Sequence, residues 1–118
     1  MSRDMAHAAD MLHAAQRISD FIQNVSEADF LANVLVQSAV LHQLTVIGEV
    51  TKRVSPEFQT AHTGIPWSQI GALKNRIVHE YDDINLDTVW TIVKSEVPGL
   101  ITALTAIVPA EPDGEEDR

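Results

Sequence analysis

The sequence predicts an all-α fold: an antiparallel bundle of four main helices joined by short connections. Three observations carry this. Apolar residues recur at three- and four-residue steps along four separate stretches, the period of a single helix face. No stretch keeps the alternation of a half-buried strand. Val34-Leu35-Val36 and Leu44-Thr45-Val46-Ile47 are rich in strand formers, but each sits inside a longer helical period. Helix breakers gather in residues 55–66 and at Pro98-Gly99, where connections are needed.

The first helix is expected from Asp4 to about Asn24. Met5, Ala8, Leu12, Ala15, Ile18 and Ile22 form its apolar stripe, and Asp4 can accept from an unpaired backbone N–H at its start. Ser26 and Asp29 then have capping-box spacing. A second helix is expected from Asp29 to Arg53, with a possible break near Asn33. Val36, Val40, Leu44, Ile47 and Thr51 mark its stripe, and Lys52-Arg53 suit the negative end of a helix. Ser55-Pro56-Glu57 can open one short turn. The third helix is expected from Trp67 or Ser68 to about His79, with Trp67, Ile70, Leu73 and Ile77 inward. A fourth is expected from Leu86 to about Ile107. Its inward positions are Val89, Ile92, Val93 and Val97, then Leu100, Ala103, Leu104 and Ile107. Proline inside a helix removes one hydrogen bond and crowds the preceding turn, so a kink is expected at Pro98.

Residues 1–108 therefore form one helical domain. Residues 109–118 read as a disordered acidic tail, poor in large apolar groups. Net charge is −9, of which −4 lies in residues 111–118, leaving −5 for the rest. Such a domain has no general attraction for nucleic acid, which requires clustered positive charge. Any RNA contact must be local, at Lys74/Arg76 or Lys52/Arg53. Without cysteine, disulfides and thiol catalysis are excluded. His7 and His13, six apart, do not share a helical face. No metal and no cofactor is expected. No apolar run approaches the roughly 18 residues of a membrane span, and no secretory leader pattern is seen. No membrane association and a cytoplasmic location are the expectations.

Chemistry concentrates between Lys74 and Tyr81, where Lys, Asn, Arg, His, Glu and Tyr fall within eight positions. Asn75 and Arg76 precede His79 by four and three residues, which places them on one helical face with it. Lys74 precedes it by five, about 140° away around the helix. Trp67 and Trp90 read as core or interface aromatics rather than base-stacking platforms.

Pro66-Trp67, the run from Lys74 to Tyr81, Leu86-Asp87-Thr88-Val89-Trp90 and Val97-Pro98-Gly99-Leu100 together resemble the HepT-like toxins of the HEPN superfamily. Ile47-Gly48-Glu49-Val50 matches a further family segment. The resemblance covers most of residues 5–107 and implies a HEPN-like bundle. The family motif is Arg, four residues, His, one residue, Tyr. His79 and Tyr81 fall on it, and its arginine position is Lys74. Lysine keeps the charge but loses the planar fork that grips a phosphate twice. Three readings follow: a weakened site, partial replacement by Arg76, or loss of cleavage.

The resemblance implies a metal-independent endoribonuclease, the toxin of a bacterial type II toxin–antitoxin pair. The implied partner is a nucleotidyltransferase antitoxin that adenylylates the motif tyrosine, here Tyr81. His79, Lys74, Asn75 and Arg76 are the candidate catalytic residues, with Glu49 supporting them by holding a cation. A homodimer or a larger hetero-oligomer is expected, because one histidine cannot readily serve as both acid and base. The alternative is a weakened or inactive binding subunit of a nucleotidyltransferase complex.

Overall fold

Side-chain caps decide where most of the helices begin. Ser2, in extended backbone, accepts the Met5 N–H at 3.0 Å and starts α1 (Arg3–Phe21). Asp4, expected to cap, lies inside the helix instead. Its carboxylate accepts the Ser55 backbone N–H at 2.9 Å and the Ser55 hydroxyl at 2.6 Å. α1 ends three residues short of expectation, and Asn24 turns the chain with a left-handed φ of 63°. Ser26 and Asp29 form the full capping box of α2 (Glu27–Ala32).

Asn33 then splits the expected second helix in two. Its backbone is extended, so it terminates α2, and its side chain accepts the Val36 N–H at 3.1 Å to start α3 (Val34–Thr51). Ser55 caps α4 (Pro56–Ala61), with Pro56 in the first turn as expected. α5 (Trp67–His79) matches its predicted range. A 3-10 turn (Tyr81–Asp83) follows, and Asn85 caps α6 (Leu86–Ser95). The kink expected at Pro98 is a one-residue interruption: Glu96, still in right-handed helical backbone, joins α6 to α7 (Val97–Ile107), which has Pro98 in its first turn. Proline has no N–H for the Lys94 carbonyl and would collide with it.

The structure, a computed structural model, describes residues 2–109. The acidic tail expected from the sequence lies almost wholly outside that range. Among the described residues there are seven α-helices and no strand. Four rods make the bundle: α1, α3, α5 and the broken pair α6–α7. α3 is the central rod, packed on both α1 and α5, while α1 also packs on α7. Ala8, Met11, Ala14, Ala15 and Ile18 are fully buried on α1, opposite Val40, Leu44 and Ile47 among the core residues of α3. Each large apolar side chain so enclosed contributes about 1.5–3 kcal/mol.

α3 corrects one expectation. It is 18 residues long with mean hydropathy 1.2, long and apolar enough by those criteria to cross a membrane. No single run is uninterrupted, but few charges dilute the average. Its buried residues, Val40, Leu41, Leu44, Ile47 and Val50 among them, lie in a helix packed on α1 and α5.

Phe30 on α2 is completely buried and meets Trp90 of α6, ring centroids 5.2 Å apart. That contact draws the α2–α3 corner and the start of α6 to one end of the bundle. Only residues 80–85 separate α5 from α6, so the end of α5 lies there as well. At the other end of α5, the Trp67 indole donates to the His62 carbonyl at 3.0 Å and its ring meets Phe58 edge-on, closing the α4–α5 connection.

Candidate functional site

The helical period of α5 divides the polar run between two surroundings. Ile77 is buried and Lys74, three residues earlier, is buried beside it on the face toward α3. Asn75, Arg76 and His79 are exposed, as is Tyr81 just past the helix end. Lys74 and His79 thus occupy different faces, as their angular offset predicts. Arg76 and His79 also sit in the last turn of α5, where cations meet the partial negative charge of a helix C-terminus.

Lys74 reaches its position because α3 offers no side chain there. A Cβ at Gly48 would lie 2.2 Å from the Lys74 Cβ and 2.7 Å from its Cγ. The lysine stem therefore crosses α3 over a glycine, and its Nζ emerges next to Glu49. It donates to Glu49 Oε2 at 2.6 Å, with the Asn75 amide oxygen at 3.5 Å. Lys52, one turn along α3, approaches the same carboxylate oxygen at 3.9 Å. The Lys74 side chain is 9% exposed and that of Glu49 43% exposed, so the pair sits at the mouth of the helix contact.

The charges respond to this arrangement. Hydrogen bonding to Lys74 holds the Glu49 carboxyl below its ordinary value, against the opposing effect of burial. The same bond raises Lys74. Lys52 is pushed down by the neighbouring Lys74 ammonium, with Glu49 opposing. The three groups behave as one cluster with a net charge of +1.

The structure thus brings Glu49, Lys74, Asn75 and Lys52 together, and keeps Arg76, His79 and Tyr81 at the surface. Glu49, expected to hold a cation, forms an ion pair with Lys74. No hydrogen bond or ion pair among the described residues engages the side chains of Arg76 or His79. Two residues gain weight that spacing did not give them, Gly48 and Lys52. A glycine inside an otherwise apolar helix costs about 1 kcal/mol against alanine, and its presence signals a close approach.

A cleft of about 340 Å³ lies elsewhere, lined by Leu44, Ile47, Leu73, Ile92 and Leu100 among others. Its lining includes none of Arg76, His79 and Tyr81, so the polar site is a surface rather than a cavity. Among the described residues no three His, Asp or Glu side chains converge as a metal site would require.

Comparison with known proteins gives the constellation a context. The family model described as ribonuclease HepT-like matches residues 11–107. A protein of Thermococcus cleftensis named "Probable ribonuclease HepT" is 30% identical over 91 residues, 77% of this chain and 83% of that one. A protein of Methanocaldococcus jannaschii named as a candidate RNase is 31% identical over 109 residues, 92% of this chain and 89% of that one. Another so named, from Caldanaerobacter subterraneus, is 26% identical over 86% of this chain and 90% of its own length. No solved structure matches the chain.

Proposed function

The chain belongs to the ribonuclease HepT-like family of the HEPN superfamily, and from that premise we propose that it is a metal-independent endoribonuclease, the toxin of a type II toxin–antitoxin pair. The observation that carries the reading is the exposed group of Arg76, His79 and Tyr81 at the end of α5, within a chain whose relatives are named as ribonucleases.

The ribose 2′-hydroxyl is the nucleophile. Its oxygen bonds to phosphorus, the bond from phosphorus to the 5′-oxygen breaks, and a cyclic phosphate remains. The 2′-proton passes to a base and a proton is delivered to the departing 5′-oxygen. His79 does one of these tasks. Charge builds on the phosphate oxygens meanwhile, and the Arg76 guanidinium is placed to meet it with paired hydrogen bonds. Lys74, at the family's arginine position, contributes from the contact with α3, together with Glu49 and Asn75.

Two proton transfers and one histidine favour a homodimer in which two copies of His79 face one RNA. Exposed apolar side chains on the bundle offer surface for such a contact. Val34 and Leu35 are 72% and 79% exposed, and Val78 and Tyr81 are each 50% exposed. A symmetric contact there would cover these side chains. The partner antitoxin is a nucleotidyltransferase that modifies Tyr81. The phenol oxygen attacks the α-phosphorus of ATP, pyrophosphate leaves, and the tyrosine carries an adenylate whose negative charge repels RNA beside His79.

Expression without the partner should arrest growth and degrade RNA, and His79→Ala should abolish both. Arrest undiminished in that variant would sink the assignment. Intact mass after incubation with ATP and the neighbouring gene's product should rise by adenylate units in the wild type and not in Tyr81→Phe. A second reading, a binding subunit without cleavage, is favoured by the engagement of Lys74 with Glu49. Under it, neither wild type nor Lys74→Arg cleaves RNA.

A further inference from the structure

We infer that Lys74 is a positioning residue rather than the cation that meets phosphate, and that Gly48, Glu49 and Lys74 form a clamp fixing α5 so that Arg76 and His79 are presented together. The inference rests on the ribonuclease reading and assigns the charged residues of that site their separate tasks.

Three observations lead to it. First, the clamp is built from the backbone outward. Gly48 leaves no room for a Cβ against the Cβ and Cγ of Lys74, and it also sits 3.4 Å from the Ile70 carbonyl oxygen by the same measure. These are main-chain and near-main-chain atoms, so no rotamer change relieves the crowding, and any side chain at 48 pushes α5 outward. Second, the ammonium is already engaged. Glu49 accepts from it at 2.6 Å, and Lys52 competes for the same oxygen at 3.9 Å. A phosphate approaching Lys74 would meet the Glu49 carboxylate first, and like charges repel. Third, an unengaged cation lies on the correct face. Arg76 is exposed, three residues before His79, and carries the planar fork that lysine lacks. The arginine whose absence from position 74 marks this sequence is supplied, one helical face away, at position 76.

The test exchanges the partners of the clamp. Glu49→Lys and Lys74→Glu, made singly, should lower the melting temperature and RNA cleavage together. The double variant E49K/K74E restores an opposite-charge pair of the same combined length. It should recover the melting temperature and bring cleavage of a short mixed-sequence single-stranded RNA back to within about threefold of wild type, with KM unchanged. Arg76→Ala should instead raise KM by about tenfold or more at unchanged melting temperature. A folded double variant that stays inactive while the wild type cleaves would overturn the inference and leave the ribonuclease reading intact, because a carboxylate at 74 would then be repelling phosphate. Should the exchange prevent folding, E49Q/K74M decides: it keeps the unbranched stem over Gly48 and removes both charges. Recovery of cleavage relative to Lys74→Met alone supports the clamp, and loss as deep as the single variant overturns it. A wild type that neither cleaves nor binds the RNA would overturn the ribonuclease reading, and this inference with it.

Discussion

The two ends of the Lys74–Tyr81 run are built from similar residues and live under different physics. At the front, Lys74 is enclosed between α3 and α5 and its charge is answered at 2.6 Å. At the back, Arg76, His79 and Tyr81 stand in water on the last turn of α5 and just beyond. Enclosure makes the first group a determinant of where α5 lies. Exposure leaves the second group able to meet a substrate and contributes little to stability. A contiguous stretch of sequence can therefore hold a structural joint and an exposed polar surface within two helical turns, because the helix rotates one toward the core and the other away from it.

The largest expected effect is at the exposed end. His79→Ala should lower RNA cleavage by about 10²–10⁴-fold, the usual worth of a positioned proton-transfer group, while the melting temperature stays within a degree or two. A large loss of stability in that variant would break the division. Next comes the enclosed end. Gly48→Ala should destabilise the fold by about 1–3 kcal/mol through overpacking, partly offset by the better helix propensity of alanine. For a domain of this size that is a fall of several degrees in a melting curve. An unchanged or raised melting temperature would mean that α3 and α5 can part without cost.

The pH dependence of stability sharpens the comparison further. Glu49 and Asp4 have folded-state carboxyls held below their ordinary values, by Lys74 and by Ser55 respectively. Their contribution is present above the unfolded values of 4.5 and 3.8 and is lost as pH falls through the lower folded values. Lys74 is raised, so its contribution is present below 10.5 and is lost as pH rises through the higher folded value. Melting followed from pH 7 downward should therefore show an acid limb beginning near pH 4.5, reduced in Glu49→Gln. The smallest expected effect is that of Tyr81→Phe on stability, within about 0.5 kcal/mol, although the same change should remove the adenylate mass shift entirely.

Much of the fold was legible because its signals are local. Ser26 with Asp29, Ser55 with Pro56, and the period of Ile70, Leu73 and Ile77 each act within one or two turns, and each element they mark is present. The misreadings arose where a local signal has two outlets. Asp4 has the chemistry of a cap, but Ser2 was nearer the correct geometry and Ser55, 51 residues away, took the carboxylate. Asn33 reads as a weak point in a long helix, and its extended backbone makes it a corner. For the site, His79 and Tyr81 fall on the motif, and both are exposed. The separate position of Lys74 follows from the 140° offset alone; Glu49 is expected to hold a cation, and that the cation is Lys74 only the fold decides.

The sequence by itself determined the all-α class, the order of the main helices and the family, because periodicity, caps and motif spacing are properties of neighbouring residues. Only the tertiary structure decided the fate of Lys74. Gly48 and Glu49 lie about 25 positions before it in the chain, and nothing local to either segment says that they meet. That contact exists because α3 is buried between α1 and α5 and must present its one bare backbone position to the helix that crosses it.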